Sequence, residues 1–477
     1  MKLFGKNMEK RITKFALIAD PHYYSEKLGI SGSAYQKEEN VNQKMLKESR
    51  AVIITALEQI KNSDVEFLLV AGDLANDGER VSHEEMRELL SEFKKTKPVY
   101  VITATHDWCC SGRARKYDGD NVSFDVPVLA PEELDDFYAD LGFSDAISEF
   151  ITHQGKVSYA IRPVEKVTVL CLDDDQDGNG SSGYSSEHWD WIRAQIKEAK
   201  ERGDVVFGMQ HHHLMLTEFM RVINGKGSVE HRKDIVKNFM DSGLSVLFTG
   251  HSHMQSIRKV EDGDRHFYEV NAGSVGGHPA TILYCDIYED GIDVKSEFLQ
   301  KFTYNGKEYT NDYLKKKAVF LIENLVNAGK NNEKEKFVNL LCSIGMKDDL
   351  VNKLWLPGKI VLKRLSKLTI KKAARIMNFI SFGKAIDKKA AKEVGDVMVT
   401  DFIYNTFLSI LDGSIECYEE GSAYYTVFTQ ALAFPVRFLK KLHIKGGIID
   451  TLTHLKNAGP ELASGGPLNN HNWFCEF

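Results

Sequence analysis

Short apolar runs alternate with segments of helical periodicity over residues 14–250, and this alternation most constrains the fold. Six runs are predicted to be strands: 14–20, 65–73, 98–104, 166–173, 204–210 and 244–250. Apolar residues with the spacing of amphipathic helices lie between them, at 41–62, 82–96, 132–141, 185–202 and 230–242. Strands that alternate with helices predict an α/β sheet with parallel strand pairs and helices on its faces.

The pattern changes after residue 255. Segments 267–275 and 280–299 are predicted to be antiparallel strands, with a turn at Asp290-Gly291. Residues 301–477 are almost entirely helical by pattern, and their tail, 459–477, is rich in turn residues and predicted to be loosely ordered. We therefore expect two domains, an α/β domain over 12–300 and an all-helical C-terminal domain over 301–477.

Composition restricts the class of protein. The chain of 477 residues is 43% hydrophobic, which is ample for a large core, and its formal net charge of −7 neither favours nor excludes nucleic acid as a partner. Its seven cysteines show no C-x-x-C spacing, which is typical of free thiols in a reducing compartment. Neither a secretory signal nor a run of about eighteen apolar residues is present in the sequence, so we expect a cytoplasmic protein without a transmembrane segment.

Carboxylate and imidazole side chains follow five of the six predicted strands. The motifs are Asp20-Pro21-His22, GDLANDG (72–78), ATHDW (104–108), QHHH (210–213) and GHSH (250–253). The carboxyl ends of strands in such sheets form ligand sites, and imidazole with carboxylate suits zinc, manganese or iron. Two such ions about 3.5–4 Å apart can clamp a phosphoryl group. Asp73, on a tight turn after Gly72, is the natural bridge between them.

In order and spacing, these motifs resemble those of the calcineurin-like metallophosphoesterase superfamily: D-x-H, G-D-x-x-x-D-G, G-N-H-D/E, a histidine after a later strand, and G-H-x-H. The resemblance covers about residues 12–300 and implies a two-sheet αββα core, to which the helical C-terminal domain is an addition. It also implies a metal-dependent phosphoesterase in which a metal-bound hydroxide attacks a phosphate ester.

The resemblance implies a role for each matching residue. Asp20, His22 and His253 would hold the first metal ion. His211 and His251 would hold the second, with Asp73 bridging the two. His106 would face the substrate, and Asp107 would fix its orientation.

Two positions leave alternatives open. The family's asparagine is replaced by Thr105, so the second metal site is expected to be weak, to be completed by water, to accept a different metal, or to use the threonine hydroxyl. His211 is the expected ligand of the three adjacent histidines, because side chains alternate on an extended chain and the family ligand comes first after the strand. His212 is the alternative, and His213 is expected to face the substrate or to be exposed.

The substrate is predicted less sharply than the metal centre. GDLANDG most resembles the phosphodiesterases that act on cyclic nucleotides and other small phosphodiesters. A phosphomonoesterase, a nuclease and a non-catalytic metal-binding scaffold are the alternatives.

Two further segments have competing interpretations. Segment 353–392 holds twelve Lys and Arg against one acid, Asp387. It is either a basic surface for nucleic acid or anionic membrane, or a helical appendage that packs its apolar face on the core and leaves its lysines solvated. Segment 173–178 matches only the first half of a calcium loop, since Tyr184 stands where glutamate is required.

Overall fold

The structure is a computed structural model that describes residues 10–175, 183–215, 226–343, 348–365, 367–413, 419–443, 447–464 and 468–477. The strands are β1 Thr13–Ile18, β2 Phe67–Ala71, β3 Val99–Ile102, β4 Lys116–Asp118, β5 Asn121–Ser123, β6 Ser148–Ile151, β7 Val157–Val164, β8 Val167–Cys171, β9 Val205–Met209, β10 Val246–Thr249, β11 Ser256–Asp262, β12 Arg265–Asn271, β13 Thr281–Tyr288, β14 Gly291–Phe298, β15 Lys301–Tyr304, β16 Lys307–Thr310 and β17 Asn472–Glu476.

The α-helices are α1 Gly32–Glu39, α2 Ser49–Lys61, α3 Arg80–Lys94, α4 Leu134–Phe137, α5 Ser186–Glu201, α6 Lys226–Ser242, α7 Asn311–Asn331, α8 Lys334–Ser343, α9 Asp348–Leu365, α10 Ile370–Ile380, α11 Lys388–Glu393, α12 Val399–Asp412, α13 Ala423–Lys441 and α14 Gly447–Ser464. Among the described helices, none combines the length and apolar character needed to cross a membrane.

Two large sheets form the core. The first has the strand order β17-β14-β13-β1-β2-β3 and the second β11-β12-β10-β9-β8-β7-β6. The pairs β1/β2, β2/β3, β8/β9, β9/β10 and β10/β12 are parallel. The sheets pack face to face, and the ring of Phe15 on β1 stacks at 5.2 Å on Phe207 of β9. The predicted α/β fold with two sheets and a helical C-terminal region is therefore confirmed.

Helices cover the outer faces of the sheets. On α5, Trp189, Ile192 and Ile196 are buried in one cluster with Phe239 of α6. Helix α5 begins at Ser186 because the hydroxyl of Ser185 accepts a hydrogen bond from the backbone N–H of His188.

The predicted strands match β1, β2, β3, β8, β9 and β10 within a few residues at either end.

The helix predicted from residue 41 begins only at Ser49. Residues 40–48 instead form a loop that is tied to the distant segment 276–277, where the N–H of Met45 donates to the carbonyl of Gly276 at 2.8 Å. Periodicity could not show this, because the contact joins residues far apart in the sequence.

The chain's C-terminal strand corrects the prediction of a loosely ordered tail. Strand β17 pairs antiparallel with β14, placing Cys475 opposite Ile292. Cys475 is fully buried in the main core. The strand is only five residues long, and the turn-rich residues before it hid it from the sequence pattern.

The helical region contacts the loops that follow the strands of the α/β core. The carbonyl of Leu411 in α12 accepts a hydrogen bond from the N–H of Gln255 at 3.0 Å. Tyr313 of α7 donates its hydroxyl hydrogen to Glu48 at 2.7 Å, and Asn324 of α7 donates to the carbonyl of Asn40 at 3.1 Å. These contacts support the GHSH motif and the 40–48 loop. The domain boundary at residue 300 stays a prediction.

Candidate metal centre

Five predicted metal ligands adopt a backbone conformation that side chains other than glycine rarely take. Their φ angles are 52° at Asp20, 44° at His22, 53° at Asp73, 68° at His251 and 58° at His253. Residues held in this region cost about 1–3 kcal/mol each and cluster at functional sites. The turns after β1, β2 and β10 therefore hold these side chains in place at the expense of local stability.

The first group of converging side chains contains Asp20, His22 and His253. Their potential ligand atoms lie within 4.8 Å of one another. The Nε2 atoms of His22 and His253 are 2.9 Å apart, and His253 Nε2 lies 3.6 Å from Asp20 Oδ1. All three side chains are buried.

The second group contains Asp73, His211 and His251, again with potential ligand atoms within 4.8 Å. His211 Nε2 lies 3.1 Å from Asp73 Oδ2, while its Nδ1 lies 2.8 Å from the carbonyl of Ala71. Asp73 also reaches the first group, because its Oδ2 is 3.6 Å from His22 Nε2. One carboxylate therefore stands between two sets of donors.

The donor set fits divalent metal ions. Two carboxylates and five imidazoles converge with no Cys among them, and His106 belongs to a third group with His22 and Asp73. This is the chemistry expected for zinc, manganese or iron. Burial raises the pKa of Asp20 and lowers the pKa of His253 to about 3, so His253 keeps a free lone pair at neutral pH. The residues present thus fit divalent cations, and Asp73 lies within reach of both groups.

Small residues leave the space that this arrangement needs. A Cβ on Gly250 would lie 2.7 Å from Asp20 Oδ2 and 2.9 Å from the Cβ of Ala19. A Cβ on Gly72 would lie 2.7 Å from His211 Nδ1, and Gly72 also has a φ of 80°. The glycines of the GD and GH motifs are therefore required by close packing against the candidate ligands.

We expect metal binding to release protons, because His211 is protonated in the metal-free protein. Burial lowers its pKa, but the carboxylate of Asp73 outweighs burial and raises the pKa to about 10. An imidazole must be neutral to bind a metal, so affinity should increase with pH up to about 10. Calorimetric titration of Mn²⁺ near pH 8, in buffers of different ionisation enthalpy, should show about one proton released per protein. Affinity that stays constant between about pH 7 and 9 would contradict this.

His106 lies beside both groups, and a partner other than the expected one orients it. Its Nδ1 lies 3.2 Å from Asp77 Oδ1 and contacts the carbonyl of Asn76. Asp107, expected to orient the ring, instead accepts hydrogen bonds from the N–H groups of Ala75 and Ala104, at 2.9 and 2.8 Å. Asp107 thus holds two loops together, and Asp77, the second acid of GDLANDG, contacts the His106 ring.

Thr105 lies at the rim of the same space. With His106, Asp77 and five others it lines a cavity of about 360 Å³. Its backbone carbonyl accepts a hydrogen bond from Cys110 N–H at 3.0 Å. Whether its hydroxyl would reach a second metal ion stays a prediction.

The three adjacent histidines do not alternate as expected, because residues 211–212 form a bend after β9 rather than extended chain. His212 Nδ1 lies 3.1 Å from Asp174 Oδ1, and its ring centroid is 4.5 Å from that of His251. The expectation that His213 is exposed was wrong, since it is buried with its ring 5.7 Å from His251. His211 is the one that lies against Asp73.

Sequence reasoning missed a cation in the centre, Lys44. Its Nζ lies 3.5 Å from both ring nitrogens of His106 and 3.3 Å from Asn76 Oδ1. The neighbouring Gln43 contacts His253 Nδ1 through its Nε2 at 2.9 Å. No local motif marks either residue, because the 40–48 loop reaches the centre through its contact with segment 276–277.

The acidic segment after β8 is only partly described. Asp173 and Asp175 lie 3.0 and 3.4 Å from the ammonium of the buried Lys156. Residues 176–178 of the calcium-like segment lie outside the described residues. A lysine between the first two acids favours an internal ion pair over a calcium site.

One family model matches the part of the chain that carries these candidate ligands. The family model for calcineurin-like phosphoesterase matches residues 13–255. No curated protein matches the chain at a significant level. Among solved structures, the chain is similar to a dimetal phosphatase from Danio rerio. The two sequences are 12% identical, the match covers 61% of this chain and 97% of the phosphatase, and the TM-score is 0.41.

Two other solved structures are also similar. A purple acid phosphatase from yellow lupin seeds is 11% identical to this chain, and the match covers 62% of this chain and 52% of the phosphatase, with a TM-score of 0.42. A putative 5′-nucleotidase from Staphylococcus aureus is 14% identical to this chain, and the match covers 57% of this chain and 50% of the nucleotidase, with a TM-score of 0.33. The family model spans more than half of the chain, and the matched residues contain the motifs that converge here. The chain therefore belongs to the calcineurin-like phosphoesterase family.

Proposed function

We propose that this protein hydrolyses a small phosphodiester, of which a cyclic nucleotide is the favoured class, with the help of two divalent metal ions. One observation supports the proposal: Asp73 lies between two groups of side chains that could hold metal ions, with His106 directly beside them. Asp20, His22 and His253 would hold one ion, and His211 and His251 the other. Divalent cations at such a site activate water and offset the negative charge of a phosphoryl group.

His106 suits the role of proton donor to the leaving oxygen. Its backbone N–H donates to Asp73 Oδ1 at 3.1 Å, and its Nδ1 is held by Asn76 and Asp77. Burial and Lys44 lower its pKa, but Asp73 and Asp77 outweigh them and the pKa is raised. The two carboxylates therefore favour the protonated ring, which would deliver its proton from Nε2.

The size of the adjacent cavity supports a small substrate. Its volume of about 360 Å³ is at the lower end of the range of about 300–1,000 Å³ usual for small-molecule sites. Such a cavity accommodates a nucleotide-sized ester, whereas a nucleic-acid strand requires an extended groove.

The helical region has a supporting role in this proposal. We assign residues 12–300 to the catalytic domain and residues 301–477 to a domain that steadies its loops. The hydrogen bonds of α12 to Gln255 and of α7 to the 40–48 loop support this division of labour.

Hydrolysis of p-nitrophenyl phosphate and bis-p-nitrophenyl phosphate tests the proposal. Each should be assayed with manganese, zinc and iron, beside the His106→Ala variant. Preference for the diester, lost in the variant, would support the phosphodiesterase and lead next to cyclic nucleotides. Failure to hydrolyse either ester while metal is bound would overturn the proposal in favour of a scaffold.

A phosphomonoesterase is the second candidate, and Lys44 is the observation that favours it. A phosphate monoester carries one more negative charge than a diester. The Lys44 ammonium beside His106 adds positive charge where the additional anionic oxygen of a monoester would lie. The ratio of kcat/KM for the two substrates decides between the candidates.

We expect Lys44→Met to lower kcat/KM by about 10- to 100-fold, because the phosphoryl group loses a charge-assisted hydrogen bond. The loss should be larger for the monoester, and Lys44→Arg should restore part of it. Steady-state kinetics with saturating Mn²⁺ measure the effect, and Lys47→Met is the matched control. A change of less than about threefold in kcat/KM for both esters would exclude Lys44 from substrate binding.

A further inference from the structure

An apolar patch lies on the surface of the helical region, and the metal centre does not account for it. We call it the α10–α13 patch. Its members are Ile376, Phe379 and Ile380 of α10, Phe382, Phe438 of α13, and Leu442. Phe379 is 86% exposed and Phe382 82%, which is exceptional for phenylalanine in a folded protein.

Helix α10 explains why these residues are not part of the core. Ile370 and Ala374 on one side of the helix are buried in the cluster that includes Phe402 and Val427. Residues 376, 379 and 380, at spacings of three and four, form the opposite side. The interpretation that the apolar face of segment 353–392 packs on the core is therefore wrong for Ile376 and Phe379.

The patch continues from α10 to the end of α13. Lys441 Nζ lies 5.0 Å from the ring centroid of Phe382, and Arg437 donates to the carbonyl of Ala385 at 3.1 Å. Phe382 has a φ of 55°, a conformation that bulky side chains rarely adopt. A large apolar side chain held outward on a strained backbone indicates a role outside the fold.

Positive charge surrounds the patch in a protein that is acidic as a whole. Besides Arg437, six exposed cations lie on α10, on α13 or in the segment directly after α10: Lys371, Lys372, Arg375, Lys384, Lys440 and Lys441. The one acid of segment 353–392, Asp387, accepts hydrogen bonds from the N–H groups of Lys389 and Ala390 and thereby caps α11. The local charge is thus opposite in sign to the net charge of −7.

We propose that the α10–α13 patch binds the surface of an anionic lipid bilayer. The phenylalanine and aliphatic side chains would enter the boundary between headgroups and acyl chains, while the lysines and arginine contact anionic headgroups. A nucleic acid would use the two phenylalanines for base stacking but would leave Ile376, Ile380 and Leu442 in water. A second copy of the chain would bring like charges together.

Vesicle binding by the full chain tests the proposal. Flotation with vesicles of phosphatidylcholine alone and of phosphatidylcholine with phosphatidylglycerol should show binding only to the anionic vesicles, weakened by salt. The double variant Phe379→Ser/Phe382→Ser should bind at least about tenfold more weakly. Ile151→Ser, at an exposed apolar residue of β6, is the matched control and should bind as the wild type does.

Two measurements distinguish insertion of the patch into the bilayer from adsorption by charge alone and from misfolding of the double variant. Phe382→Trp should show a blue shift in emission on adding anionic vesicles, since adsorption by charge alone would leave the indole in water. Hydrolysis of bis-p-nitrophenyl phosphate by the double variant should be unchanged, which excludes misfolding. Absence of vesicle binding, binding unaffected by the double variant, or binding of single-stranded DNA in place of vesicles through the same side chains would each overturn the proposal.

Discussion

Asp73→Asn should reduce metal-dependent hydrolysis by about a thousandfold or more, equivalent to about 4 kcal/mol of transition-state stabilisation. The substitution keeps the shape of the side chain but removes a negative charge that lies beside both groups of candidate ligands. Asp73 lies 3.1 Å from His211 and 3.6 Å from His22, so its carboxylate reaches both of the groups we assign. Metal content after dialysis, measured by mass spectrometry, should fall from two ions to one or none.

The control for this prediction is Asp125→Asn, at an exposed acid away from the centre. It should retain both metal content and activity. If Asp73→Asn keeps its metal and its kcat/KM stays within about tenfold of the wild type, Asp73 is not a bridging ligand.

Lys156→Met should destabilise the protein by about 3–5 kcal/mol, the usual cost of removing one partner from a buried ion pair. Lys156 is buried and lies 3.0 Å from Asp173 and 3.4 Å from Asp175, and its ammonium is 4.2 Å from the centroid of the Trp108 ring. Without the lysine, two buried carboxylates lose the cation that lies between them. Urea denaturation of the metal-free protein measures the change in free energy of unfolding.

The effect of Lys156→Met should depend on pH in a defined direction. Burial raises the pKa of Asp173 to about 6, and Lys156 opposes that rise. Loss of Lys156 raises this pKa further, so the destabilisation is greatest at alkaline pH and diminishes as the carboxyl takes up a proton at acid pH. Lys197→Met, at an exposed residue of α5, is the control and should change stability by less than about 1 kcal/mol. An equally small change for Lys156→Met would contradict the buried ion pair.

The strands of the α/β core were predictable because each is a short apolar run bounded by turn residues. Strand β2, for example, is the wholly buried FLLVA. The helix predicted at 132–141 was less successful: the segment forms short turns, with α4 spanning only Leu134–Phe137. Closely spaced aspartates have weak helix propensity, and Gly142 has a φ of 127°.

The sequence by itself determined which chemical groups could meet. The order of the motifs puts Asp20, His22, Asp73 and His106 at the carboxyl ends of parallel strands, and parallel strands present those ends at one edge. The number and type of these groups were sufficient to predict a metal centre and the resemblance to a known family. Glycines at 72 and 250 were also visible in the motifs, although their reason, close approach to His211 and Asp20, was not.

Only the tertiary structure decided which atoms meet. Lys44 and Gln43 reach the centre through a loop contact with segment 276–277, and Asp77 rather than Asp107 contacts the ring of His106. Phe379 is exposed because the opposite side of α10 packs on Phe402. The helical spacing of apolar residues does not predict which side of the helix packs on the core. Periodicity and motifs record local preferences, whereas these features arise from contacts between segments distant in the chain.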